Sequence, residues 1–257
     1  MTTEAFADAK GSEFAGKVAL VTGSSRNIGR AVALSLAAGG AKIAVHARAS
    51  LDEARSVALE IEGRGGSAEA FLADIGERSQ IEAMVAAVLK RFGRIDILVL
   101  NAAVREVGPL SETSYEEWRR ILAIDLDSAF IFTKACLPSM IEAKGGSIVT
   151  FGGANALQGS GNRVHVTAAK HAMVGFTKAA ANDLAQHGIR VNMVSPGRIR
   201  DDASEVIAEA SGRLSQIPLR REGEPEEVAA VVRFLCGPGA SYMTGQTVLV
   251  NGGLVMP

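Results

Sequence analysis

A single α/β domain built on a doubly wound parallel sheet is the fold this sequence predicts, and three observations carry the prediction. Short apolar runs alternate with helix-length segments along the chain. Runs such as Ile95–Leu100 are apolar on both faces, as strands covered by helices on each side of a sheet must be. The first run, Val18–Val21, leads into a glycine-bounded turn, Gly23–Gly29, and a helical stretch from Ile28 to Ala38.

The strands expected in order are Val18–Val21, Lys42–Val45, Ala68–Leu72, Ile95–Leu100, Ser147–Phe151, Arg190–Val194 and Thr247–Val250. Six of them precede a helix-length segment, the rhythm of parallel pairing. A (β/α)₈ barrel would need an eighth strand and would carry its phosphate site near the end of the chain. Glycine and proline clusters, Ser195-Pro196-Gly197 and Gly237-Pro238-Gly239 among them, fall between elements as loops. With 257 residues, 47% hydrophobic and 21% charged, the chain suits one large core. Residues 15–257 are expected as that domain and residues 1–14 as a flexible polar tail.

Formal net charge is −1, from 27 basic and 28 acidic residues scattered along the chain. No polybasic face is present, so neither nucleic acid nor a membrane is expected as a partner. The only cysteines, Cys136 and Cys236, form no CxxC pair and neighbour no histidine cluster. No metal is expected, and the thiols suit a reducing, cytoplasmic setting.

Between Gly23 and Gly29, the segment SSRNI sits where backbone amides and a helix N-terminus can face a pyrophosphate. Asn27 stands where a middle glycine is usual, and asparagine tolerates left-handed geometry. A tight connection with no ligand is the plain alternative for this turn alone. Five further blocks remove the ambiguity: Asp74 after the third strand, DILVLNAA (Asp96–Ala103), the helix VTAAK (Val166–Lys170), RVNMVSPGRI (Arg190–Ile199) and MTGQTVLVNGG near the end. In order and spacing the chain resembles the short-chain dehydrogenase/reductase family over nearly its whole length.

The resemblance implies a Rossmann-type sheet of order 3-2-1-4-5-6-7, a nicotinamide dinucleotide, a small-molecule carbonyl or alcohol substrate, and a homotetramer or homodimer. The implied cofactor contacts are Gly23, Ser25, Arg26, Asn27, Ile28 and Gly29 in the turn, and Arg48, Asp74, Ile75, Asn101, Ala102, Lys170, Pro196, Gly197 and Ile199 beyond it. Asp74 would meet the adenine amino group and Asn101 the adenosine ribose; an N-cap role for Asp74 is compatible with that. Charge selects the cofactor. An acid ending the second strand would bond a ribose 2′-hydroxyl, but that place holds Ala47 followed by Arg48, and Arg26 adds a second cation. NADP(H) is therefore expected over NAD(H).

The chemical half departs from the family pattern. Val166 stands where the family has its proton-donating tyrosine, Gly153 where it has a serine, and Asp125 where it has an asparagine; Lys170 remains. Leu100 and Asp201 are further departures. Replacement donors on offer are His165, Asp125 and Lys170, with Asn155, Asn162 and Arg163 as hydrogen-bonding neighbours, although His165 points about 100° away from its neighbour Val166 on a helix. Asp201–Glu222 falls where the family carries a mobile lid. Tyr115 and Trp118 are expected to pack and cap a helix, and Tyr242 to serve a structural or subunit contact. An oxidoreductase with an unorthodox proton source leads. A catalytically silent dinucleotide-binding or scaffolding protein, and a lyase or isomerase reusing Lys170 and Asp125, are the alternatives.

Overall fold

Each apolar run of the sequence becomes a strand of one parallel sheet. The computed structural model describes residues 11–154, 157–201 and 213–256. Its strands are β1 (Val18–Val21), β2 (Lys42–Ala47), β3 (Ser67–Leu72), β4 (Ile97–Leu100), β5 (Gly146–Phe151), β6 (Ile189–Pro196) and β7 (Thr247–Val250). They hydrogen-bond in the order β3-β2-β1-β4-β5-β6-β7, every pair parallel. The helices are α1 (Asn27–Ala38), α2 (Leu51–Gly63), α3 (Arg78–Phe92), α4 (Tyr115–Leu122), α5 (Ser128–Glu142), α6 (Val164–Leu184) and α7 (Pro225–Cys236).

Two apolar cores lie on opposite faces of the sheet. Val32 and Leu36 of α1, Val57 and Ile61 of α2, and Val228 and Val232 of α7 cover one face. Ile81 and Val85 of α3, Phe132 and Met140 of α5, and Met173 and Ala181 of α6 cover the other. Removing a fully buried side chain such as Leu36 would cost about 2–5 kcal/mol. Because the order reverses between β1 and β4, the loops after these strands diverge, and the crevice between them is where a doubly wound sheet binds its ligand.

Strand β4 begins at Ile97, two residues later than its apolar run. Asp96 explains the delay: its buried carboxylate accepts from the Val18 amide at 3.0 Å, Lys17 Nζ at 3.1 Å and Arg94 Nε at 2.8 Å. Of the expected tail, residues 1–10 lie outside the described residues, but residues 11–14 are docked rather than frayed. The Gly11 amide donates to the Ala38 carbonyl at 3.0 Å, Glu13 accepts from Arg233 at 2.7 Å, and Phe14 is buried against Gly39. Of the expected lid, residues 202–212 lie outside the described residues. Arg213–Gln216 forms a 3₁₀ turn, and Ile217 behind it is buried. Among the described residues, no helix is long and apolar enough to cross a membrane.

Candidate active site

At the C-terminal ends of β1 and β4 lie two adjoining cavities that share Ile28, Asn101, Ala103, Val104 and Arg105. The larger, of about 580 Å³, is bounded by the glycine turn, the end of β2 and the loop after β3. Gly23, Ser25, Arg26, Asn27, Ile28, Gly29, Arg48, Asp74, Ile75, Asn101 and Ala102 all line it.

The turn is held from three sides. Thr22 Oγ1 accepts from the amides of Asn101 and Ala102, each at 3.0 Å, and Asn101 Nδ2 donates to the carbonyls of Thr22 and Gly23, each at 3.0 Å. Asn101 thus spends both amide donors on the loop itself. Asn27 adopts φ +47°, the left-handed geometry expected of it. At Gly29 an added Cβ would sit 2.0 Å from the Gly23 carbonyl oxygen and 2.7 Å from Asn101 Nδ2, so only glycine lets α1 approach the turn. No side chain caps α1, whose first amides remain for an anion. This cradle fits a pyrophosphate. Asp74 does not cap α3, since Glu77 holds the N-cap position. Instead Asp74 Oδ1 accepts from the Gly76 amide at 2.9 Å in an Asx turn at the cavity wall.

His46, unassigned by sequence reasoning, completes the turn. It is 2% exposed at the end of β2, where its Nδ1 accepts from the Gly23 amide at 2.8 Å and its Nε2 lies 3.0 Å from the Ala73 carbonyl. An amide donor on one nitrogen and a carbonyl acceptor on the other require the neutral ring with its proton on Nε2. Burial lowers its pKa from the ordinary value of 6.5, with the Ala73 bond and Asp74 opposing. A lone histidine inside an apolar strand was the available signal. Arg26 and Arg48 are exposed beside it and pair with no carboxylate among the described residues.

The second cavity, about 410 Å³, contains Lys170, Val166, Gly153, Pro196, Gly197 and Ile199. Val166 and Lys170 lie one turn apart on α6, so both present to it. Lys170 Nζ donates to the Phe151 carbonyl at 3.3 Å and stands 3.7 Å from Asp125 Oδ2. Asp125 lies beneath the cavity in a π-helical turn, Ala123–Asp127, between α4 and α5, and its Oδ1 accepts from the Val104 amide at 2.8 Å. Burial pushes the Lys170 amine down and the Asp125 carboxyl up, while their mutual attraction opposes both shifts. Asp125 Oδ2 has no hydrogen-bond partner among the described residues.

Gly153 is clamped by Ser195, whose Oγ donates to the Gly153 carbonyl at 2.7 Å and accepts from its amide at 3.1 Å. A Cβ there would meet open space, but φ is +157°, which strains any side-chain-bearing residue.

Two expectations need correction. His165 does not reach the cavity. It is fully buried, its Nδ1 accepts from the Val166 amide at 2.8 Å, and its Nε2 lies 3.6 Å from Glu117 of α4. The angular separation of neighbouring helix positions carries it into the interface between α4 and α6. Tyr115 is 71% exposed rather than packed, and the cap of α4 is made by Ser114, whose hydroxyl accepts from the Glu117 amide at 3.1 Å. Tyr242 is also fully exposed, so neither tyrosine of the chain lines either cavity. Asn155 lies outside the described residues. Ser160, Arg105 and Arg198 line the second cavity without having been singled out in sequence; Ser160 is its only hydroxyl among the described residues.

Residues 23–255 match the family described as Enoyl-(Acyl carrier protein) reductase. The chain belongs to the short-chain dehydrogenase/reductase family. It is 40% identical over 241 residues to a 3-oxoacyl-[acyl-carrier-protein] reductase of Synechocystis sp., covering 93% of this chain and 97% of that protein. To the 3-oxoacyl-[acyl-carrier-protein] reductase FabG of Escherichia coli it is 36% identical over 245 residues, covering 95% and 99%. Among solved structures, it resembles a blue fluorescent protein from a metagenomic library in complex with NADPH, with TM-score 0.90, 34% identity and coverage of 95% and 100%. A putative NAD(P)-dependent gluconate 5-dehydrogenase from Beutenbergia cavernae, with bound NADP, matches with TM-score 0.88, 34% identity and coverage of 95% and 99%. This short-chain dehydrogenase/reductase is an oxidoreductase of the pyridine-nucleotide-using kind.

Proposed function

We propose that the protein is an NADP(H)-preferring oxidoreductase of a carbonyl or alcohol substrate, working without the tyrosine and serine usual in its family. The observation that carries this reading is the pair of adjoining cavities, one lined by the glycine turn and the other by Lys170, Val166 and Gly153. Bound nicotinamide supplies the two-electron reduction of a carbonyl or oxidation of an alcohol. Gly23, Ser25, Asn27, Ile28 and Gly29 hold the pyrophosphate. Arg26 and Arg48 take the 2′-phosphate, Asp74 and Ile75 flank the adenine, and Asn101 and Ala102 shape the wall by the adenosine ribose. Pro196, Gly197 and Ile199 support the nicotinamide, and Lys170 grips its ribose.

Lys170 is then the group in the second cavity assigned to give up a proton, its pKa lowered from the ordinary lysine value by burial. Burial favours its release, and Asp125 beneath it tempers that release. Ser160 offers the hydroxyl that orients the carbonyl. A well-placed general acid contributes roughly 10²–10⁴ in rate, so turnover with Lys170 in that part is slow by family standards. The relatives named as 3-oxoacyl-[acyl-carrier-protein] reductases make a 3-oxoacyl compound the first substrate to try. Exposed Phe130 and Ile141 on α5 and Phe234 on α7 support assembly as a homotetramer or homodimer, and the two buried thiols, pushed up to about 12, support a cytoplasmic home.

The absence of a phenol from the cavity wall favours a second reading, a dinucleotide-binding protein without turnover. Fluorescence titration with NADPH and NADH, joined to turnover on a panel of ketones and 3-oxoacyl thioesters, separates the two. The reading expects NADPH to bind at least tenfold tighter than NADH, Arg48→Ala to remove about 1.4 kcal/mol of NADPH affinity while leaving NADH within twofold, and measurable oxidation of NADPH. Tight NADPH binding with no turnover across the panel would establish the silent reading instead.

A further inference from the structure

Cations gather in the second cavity, and of them only Lys170 has a counterion among the described residues, Asp125 beneath the cavity at 3.7 Å. Arg105 from the loop after β4, Arg163 at the N-cap of α6, Arg198 after β6 and Lys170 all line it, and no aspartate or glutamate lines it among the described residues. Several exposed arginines elsewhere on this chain find acids, Arg78 with Glu82, Arg120 with Glu106, Arg200 with Glu224 and Arg221 with Glu227, while Arg26 and Arg48 at the larger cavity do not. Arg105, Arg163 and Arg198 form no ion pair among the described residues. Arg198 goes further, because its buried Nε has no acceptor among the described residues. An unsatisfied buried donor is destabilising in the free protein, and three like charges around one small volume repel one another. Both costs are relieved by an anion in the cavity.

We infer that the substrate is an oxo acid or hydroxy acid, a carbonyl or alcohol compound carrying a carboxylate, and that Arg105 and Arg163, with Arg198, bind that carboxylate. The inference rests on the oxidoreductase reading and names its substrate class. Guanidinium forks match a carboxylate through paired charge-assisted hydrogen bonds, which gives direction as well as affinity. With the carboxylate held at the arginines, the carbonyl end is left for Ser160 and Lys170, which line the same cavity. The cofactor's own phosphates are the competing anion, since Arg105 also borders the larger cavity.

The test compares 3-oxobutanoate and 4-oxopentanoate with their methyl esters, on the full-length protein and on Arg105→Met, Arg163→Met and the double variant. Calorimetric binding is read in the presence and absence of NADPH, kcat/KM is read where turnover occurs, and NADPH affinity is read separately by fluorescence. The expected result is an acid bound at least tenfold tighter than its ester, with the ratio falling about tenfold for each arginine removed and recovering in part in Arg163→Lys. Acid binding no tighter than ester binding, including no binding of either, overturns the inference. A loss of NADPH affinity in the variants with an unchanged acid-to-ester ratio also overturns it and assigns the arginines to the cofactor. Acid preference in binding without any NADPH oxidation upholds the inference and sinks the oxidoreductase reading. Turnover of neutral ketones with no acid preference does the reverse.

Discussion

The two cavities share a wall and differ in how their polar groups are employed. In the larger one, the side chains that brace the turn have partners inside the protein: Thr22 to Asn101 and Ala102, Asn101 to the Thr22 and Gly23 carbonyls, Ser24 to Val21, and His46 to Gly23 and Ala73. In the smaller one, Arg198 Nε has no hydrogen-bond partner among the described residues, Asp125 Oδ2 beneath the cavity has only the Lys170 ammonium at 3.7 Å, and Val166 and Gly153 bring no polar side chain. The cradle's residues hold the fold and shape the cavity at once, so a change there damages both. A tyrosine or serine facing an open cavity bears no packing duty, and its replacement leaves the sheet intact.

Breaking the cradle produces the largest effect. Gly29→Ala forces a methyl group to within 2.0 Å of the Gly23 carbonyl, and we expect a loss of about 3 kcal/mol in stability and at least a hundredfold in NADPH affinity. Chemical denaturation and fluorescence titration read the two; an unchanged midpoint with unchanged affinity would mean the turn is softer than its contacts indicate. Lys170→Met comes next. It leaves Asp125 buried without its cation, at a cost of about 3 kcal/mol, and Lys170→Met with Asp125→Asn recovers part of that cost. Strict additivity in that double-mutant cycle would deny the pair any coupling.

The smallest expected effect belongs to His46. Its folded pKa is lowered below 6.5, so above that pH neither state is protonated and its contribution to stability is complete. As pH falls below 6.5 the unfolded chain takes a proton that the folded chain refuses, and stability drops by roughly 1 kcal/mol per pH unit until the folded pKa is reached. His46→Asn keeps an acceptor for the Gly23 amide and cannot titrate. Its melting temperature should therefore fall less between pH 7 and 5.5 than that of the unaltered protein, and equal falls would remove His46 from the account.

The same division explains what the sequence made legible. Seven strands and their helices were readable because burial on both faces of a parallel sheet leaves continuous apolar runs, and the glycine turn because its backbone geometry restricts residue choice. Ile95 was counted into β4 because burial looks alike on either side of a strand boundary, whereas the Asp96 carboxylate that delays pairing acts through space on Lys17 and Val18. His165 was offered to the cavity by adjacency, and helical rotation sends it elsewhere. The arginine cluster escaped notice for a related reason: Arg163 was offered only as a hydrogen-bonding neighbour, Arg105 and Arg198 not at all, and nothing local marks three residues so far apart in sequence as neighbours of one cavity.

Restoring the phenol tests the central claim most directly. In Val166→Tyr, NADPH-dependent reduction of a ketone is compared with that of the unaltered protein, with NADPH affinity and folding measured alongside. The account predicts at least a tenfold rise in kcat, because a donor returns one turn before Lys170 and, unlike a serine at Gly153, requires no strained backbone. An unchanged or lower kcat in a folded variant that still binds NADPH would contradict the claim that this site runs for want of that proton donor.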